Sequence, residues 1–74
     1  MVVFQVGKSY EASDPGIDPI KILKRTDKMI YVDNGQSKWK MKLRHDNRGD
    51  EMLTDSSVPS RYRDIYTYNA RWEA

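Results

Sequence analysis

Apolar residues recur at every second position through the middle of this chain. Ile30 and Val32 precede an Asn34-Gly35 pair, and Trp39, Met41 and Leu43 follow it. Asn-Gly between two alternating runs predicts a β-hairpin closed by a type I′ turn. With Asn34 and Gly35 as the two central residues, Val32 faces Ser37, Tyr31 faces Lys38 and Ile30 faces Trp39. The pleat then sorts the side chains. Ile30, Val32, Trp39, Met41 and Leu43 share an inward face, while Tyr31, Lys38, Lys40, Lys42 and Arg44 share the outward one.

Turn signals recur too often elsewhere for long helices: Asp14-Pro15-Gly16, Asp18-Pro19, Asn47-Arg48-Gly49 and the polar stretch from Thr54 to Pro59. Gly7 to Ser13 reads as a first strand with Tyr10 and Ala12 inward, and Met1 to Val6 either extends it or pairs separately. Ile20 to Lys24 pairs with Met29 to Val32 around Arg25 to Lys28, through a loop of two residues or of three with a bulge. From Ser60 to Trp72 the pattern fits both a helix face and strand alternation. The Tyr-Thr-Tyr composition favours a turn or single helical turn near Pro59 to Tyr62, then a closing strand over about Ile65 to Ala70. Five or six short strands without a crossover helix predict an all-β fold: a small, strongly bent antiparallel sheet or a partly open barrel of five to six strands.

The 74 residues form one small β domain, residues 1–74, too short for a cleft between two lobes. There is no Cys, which excludes a disulfide framework or a thiolate metal site and leaves packing and backbone pairing to hold the core. Met1 to Phe4 is far too short an apolar run for a signal peptide, so a cytoplasmic location and no membrane partner are expected. With so small a core, a homo-oligomer stays open.

Charge changes the picture more than composition does. Between Ile20 and Arg48 nine Lys or Arg residues face three acids, so this segment carries +6 of a net +2 and the remainder carries −4. Local potential, rather than total charge, governs what such a surface attracts. Alternate residues on a strand lie about 6.8 Å apart, so Lys38, Lys40, Lys42 and Arg44 make a row that can follow a phosphate backbone, with Tyr31 beside them to stack a base. The plain counter-reading is that outward lysines keep a sheet soluble and discourage edge-to-edge pairing.

Val6-Gly7-Lys8-Ser9 has the ending of a phosphate-binding loop, but the first glycine of that motif falls at Val2 and no strand precedes it. His45, Asp46, Asp50 and Glu51 have the residue types of an acid–base pair or a weak oxygen-rich metal site, yet Asp46-Asn47-Arg48-Gly49 reads first as a solvated hairpin turn. No enzyme activity, cofactor or metal is expected from these residues.

Val6-Gly7-Lys8-Ser9-Tyr10, the run from Lys24 to Val32, a glycine turn and a basic strand ending in Gly49-Asp50-Glu51 resemble small proteins of Gram-positive gut bacteria, often encoded near plasmid or phage genes. That resemblance implies no assigned activity and transfers no functional residue. The residues themselves point to a binding protein, with nucleic acid on Tyr31, Lys38, Lys40, Lys42 and Arg44. The alternative is a protein-interaction module or inhibitor that offers an open strand edge together with Tyr62, Tyr66, Tyr68 and Trp72.

Overall fold

Six antiparallel strands follow one another in chain order: β1 (Ser9–Ala12), β2 (Ile20–Arg25), β3 (Met29–Asp33), β4 (Lys38–His45), β5 (Glu51–Thr54) and β6 (Thr67–Glu73). In the computed structural model, which describes every residue from Met1 to Ala74, β6 returns to pair with β1 and the sheet closes into a barrel. The partly open form therefore gives way to a closed one. Each strand has a hydrogen-bonded neighbour on both sides, so no strand is an edge along its whole length; β5 covers only residues 43–45 of β4 and leaves residues 38–41 unpaired on that side. A single 3₁₀ turn, Ser60–Tyr62, is the only helical element. Turns of the same i to i−3 kind continue through Ile65 and Tyr66, which is why β6 starts at Thr67, two residues later than expected.

The central hairpin forms with its register moved by two residues. Val32 faces Trp39, Tyr31 faces Lys40 and Ile30 faces Met41. A type I′ turn at Asn34-Gly35 needs positive φ at both central residues, but only Gly35 has it, at +94°. The Asn34 amide instead donates to the Ser37 carbonyl at 3.1 Å, making Gly35-Gln36 the central pair. Side chains explain the choice. Asn34 Oδ1 accepts from the Gln36 and Ser37 amides at 2.9 and 2.8 Å, and Asp33 Oδ1 accepts from the Gly35 amide at 2.7 Å. These bonds satisfy the loop without forcing Asn34 into a left-handed conformation. Because the shift is an even number, every side chain keeps its expected face.

Tyr10, Ile20, Ile22, Ile30, Val32, Met41, Leu53, Tyr68 and Ala70 fill the interior, with Trp39 and Leu43 partly buried against them. A bulge at Leu23 interrupts the β2–β3 ladder between Ile22 opposite Val32 and Lys24 opposite Tyr31. It also reverses the alternation of β2. Without it Lys24 would follow Ile20 and Ile22 inward; with it Lys24 points out and Arg25, opposite Ile30, turns toward the end of the barrel.

There Arg25 meets Glu51 in a two-pronged ion pair, with Nη1 to Oε1 at 2.8 Å and Nη2 to Oε2 at 2.6 Å. Residues 1–6 form no strand, yet they are held at this end. Glu51 Oε1 accepts from the Phe4 amide at 2.8 Å, Arg25 Nη1 donates to the Phe4 carbonyl at 2.6 Å, and Asp50 Oδ1 accepts from the Val2 amide at 2.8 Å. The Phe4 ring, 1% exposed, stands edge-on to Tyr10 with centroids 4.8 Å apart and closes the floor of the barrel.

The loop from Asp46 to Asp50 is accordingly not a simple solvated turn. Asp50 and Glu51 are buried, and Arg71 pairs with Asp50 through its Nε. Asp46 Oδ1 accepts from the Arg48 and Asp50 amides, and its Oδ2 from Asn69 Nδ2 at 2.9 Å. No helix is long and apolar enough to cross a membrane.

Candidate functional site

The outward faces of β2, β3 and β4 make one continuous surface. Lys24 lies opposite Tyr31, and Tyr31 opposite Lys40, so a cation, a ring and a cation cross three neighbouring strands in a single row. The Lys24 ammonium sits 5.8 Å from the centre of the Tyr31 ring, within cation–π range. Along β4, Lys38, Lys40, Lys42 and Arg44 are all exposed and project at intervals of about 6.8 Å, a row of roughly 20 Å. All five residues named from the sequence thus share one face.

None of these cations is committed elsewhere. The three ion pairs of the molecule are Lys8 with Glu73, Arg25 with Glu51 and Arg71 with Asp50. Asp33, opposite Lys38, spends one carboxylate oxygen on the Gly35 amide. Between the lysines lies an open hollow of about 480 Å³, walled by Leu23, Tyr31, Val32 and Trp39 and bordered by Lys38 and Lys40. A flat group entering it meets the Leu23 and Tyr31 side chains, with the Lys38 and Lys40 side chains at the border. Sequence reasoning missed Leu23 and Lys24: Leu23 faces outward by plain alternation, but only the bulge turns Lys24 onto the same face.

The aromatic residues of the alternative site do not assemble. Tyr68 is 2% exposed and belongs to the core; burial, with the Asp55, Tyr66 and Asp18 charges beside it, pushes its hydroxyl up to about 12. Tyr62 is exposed with the Arg61 guanidinium 4.9 Å from its ring centre. Tyr66 is half-buried, and Trp72 is exposed four residues beyond Tyr68, about 13 Å along β6.

The carboxylates near His45 do not converge either, and no three His, Asp or Glu side chains gather as metal ligands. Each acid there is engaged by a protein donor. Hydrogen bonds from Asn69 to Asp46 and from Arg71 to Asp50 hold both carboxyls below the usual range. Burial alone drives Glu51 upward, but the Arg25 guanidinium and the Phe4 amide outweigh it and leave that carboxyl lowered as well.

The chain matches no protein-family model, no curated protein and no solved structure.

Proposed function

We propose that this protein binds nucleic acid, laying the phosphate backbone along Lys38, Lys40, Lys42 and Arg44 and stacking a base on Tyr31. The observation that carries this reading is the uncommitted cationic row with a ring set in the middle of its broad side. The solubility explanation is weakened by the sign of that row. β5 covers only residues 43–45 of β4, so Lys38 and Lys40 also flank an unpaired edge, but a surface built for solubility alone interleaves both signs of charge. Lys24, held over Tyr31, stands where an incoming base and its phosphate would meet, so stacking moves it toward the phosphate rather than leaving it unpaired.

The test is titration of a labelled oligonucleotide at several salt concentrations. Each phosphate contact contributes about 0.7 (single strand) to 0.9 (double strand) to the log–log salt slope. Replacing Lys40 and Lys42 together by Gln should flatten the slope by about 1.4–1.8, with an unchanged circular dichroism spectrum and nearly equal weakening across sequences. Tyr31→Ala should cost a further 1–3 kcal/mol or so for single strands only. No binding at low salt, or an unchanged slope in the double variant, refutes the reading.

A further inference from the structure

A second concavity opens beside the first, and its chemistry is opposite. The loop between β1 and β2 and the start of the loop after β5 enclose a cleft of about 260 Å³. Its aromatic walls are Trp39, Tyr66 and Tyr68; its acids are Asp18 and Asp55. Neither acid forms an ion pair. Asp55 is held in place by the Ser57 amide at 3.0 Å and the Ser57 hydroxyl at 2.6 Å. Burial raises the Tyr68 hydroxyl, and the charges of Asp55 and Asp18 raise it further, so both carboxylates act on the same side of the barrel. Trp39 lines the cleft, and its indole nitrogen, closed off from solvent, is the one buried side-chain polar atom of the molecule with no hydrogen-bond partner. A buried donor left unpaired is costly, and native structures seldom keep one without a use.

We propose that this cleft receives a lysine side chain of a partner polypeptide. Three features select that ligand. Aromatic faces and carboxylates together favour an organic cation on an aliphatic stem, which neither an anion nor a purely apolar group satisfies. The unpaired indole N–H lacks an acceptor; once ligand entry turns the edge of the Trp39 ring toward the groove, the main-chain carbonyl next to a lysine supplies one and a free amine does not. The cleft adjoins a hollow of about 490 Å³ that shares Asn34, Trp39 and Asp55 with it and has Lys40 on its far side, together a groove suited to a stretch of chain. Ser37, Ser56 and Ser57 line that extension and offer hydroxyls to a main chain. Trp39 thus stands between a basic face and an acidic groove, and the two surfaces select opposite charges.

The smallest ligand with both groups is Nα-acetyl-lysine methylamide, and its neutral counterpart is Nα-acetyl-norleucine methylamide. Each is titrated to about 50 mM into the ¹⁵N-labelled protein, a range that covers the millimolar affinity of a single weak contact. The expected result is saturable movement of the Trp39 indole signal and of the Asp18, Asp55 and Tyr66 amides with the lysine compound alone. Replacing Asp18 and Asp55 together by Asn keeps the shape and the Ser57 bonds and should weaken binding about tenfold or more, with a dispersed spectrum showing the fold intact. The Lys42→Gln, Arg44→Gln variant, which alters the basic row away from the groove, should bind the lysine compound as the parent does. The Asp18→Asn, Asp55→Asn variant should keep the parent's oligonucleotide salt slope, so the two surfaces fail or succeed separately. Equal shifts with norleucine, movement confined to other residues, no saturation, or unaffected binding in the aspartate variant overturns the proposal.

Discussion

Replacing Glu51 by Gln keeps the size of the side chain and removes its charge at the point where the N-terminal segment, β2 and β5 are joined. Three donors converge on this carboxylate, from Arg25 Nη1, Arg25 Nη2 and the Phe4 amide at 2.8, 2.6 and 2.8 Å. Hydrogen bonds to a charged group contribute about 1.5–3 kcal/mol each, not additively, and breaking a buried ion pair costs about 3–5 kcal/mol. Glu51 is nearly buried, but the Arg25 side chain is 28% exposed and can regain water when its partner is lost, so the lower end applies. A loss of about 3 kcal/mol follows. Against the roughly 4–11 kcal/mol expected of a chain this long, that lowers Tm by about 12–24 °C. Urea unfolding and thermal melts measure it. Hydrogen exchange should show the Val2 to Phe4 amides losing protection before the strands do. The double change Arg25→Met, Glu51→Leu should recover part of the loss, because no charge then lies buried alone. A Tm drop below about 4 °C for Glu51→Gln, or protection of the Phe4 amide unchanged, refutes the clamp.

Gly35→Val should destabilise by about 1–3 kcal/mol in denaturant melts through backbone strain alone, since φ is +94° and a Cβ there meets no atom within 4 Å; a neutral effect would refute the turn geometry. Phe4→Ala should cost about 3–5 kcal/mol although Phe4 lies in no strand, and a cost under about 1 kcal/mol would mean that the barrel floor closes without it. Asp46, Asp50 and Glu51 have lowered carboxyls, so their contribution is present above the unfolded value near 4 and is lost as pH falls through the lower native values. The raised Tyr68 hydroxyl works the other way: its contribution is full below about 10 and is lost as pH rises toward about 12, so melts should show stability falling on both sides, and a flat alkaline limb would contradict its burial.

The face of each β3 and β4 side chain was legible in the sequence because alternation survives an even register error, whereas the pairing partner depended on which side-chain oxygens capped the Asn34 loop. Closure was not legible. β1 meets β6 across most of the chain, through Tyr10 opposite Glu73 and Ala12 opposite Tyr68, and no local pattern encodes that distance. The buried pairs were hidden for another reason. A bulge at Leu23 reverses the parity of β2, and only after that reversal does Arg25 turn inward toward an acid that local sequence places in a polar turn. Tyr68 looked available because a tyrosine-rich strand reads alike whether its rings face solvent or core. The acidic groove draws Asp18, Trp39, Asp55 and Tyr66 from four separate parts of the chain, and no spacing rule joins them.

The hydrogen bonds that fasten Val2 and Phe4 to Asp50 and Glu51 span 48 and 47 residues of sequence. On a ribosome the first residues to emerge therefore wait for partners made several seconds later, at about 5–20 residues per second. Hairpins from β2 through β4 can assemble in that interval from neighbouring segments, but the clamp on Phe4 waits until the β4–β5 turn is complete. The entropic cost of closing so long a loop falls on the final steps, which places this barrel among slow, high-contact-order folders of the millisecond-to-second class. Pulsed hydrogen exchange during refolding should find the Val2 and Phe4 amides protected last. If they are protected together with the β3–β4 ladder, the N-terminal segment docks early and helps to nucleate the fold instead of sealing it.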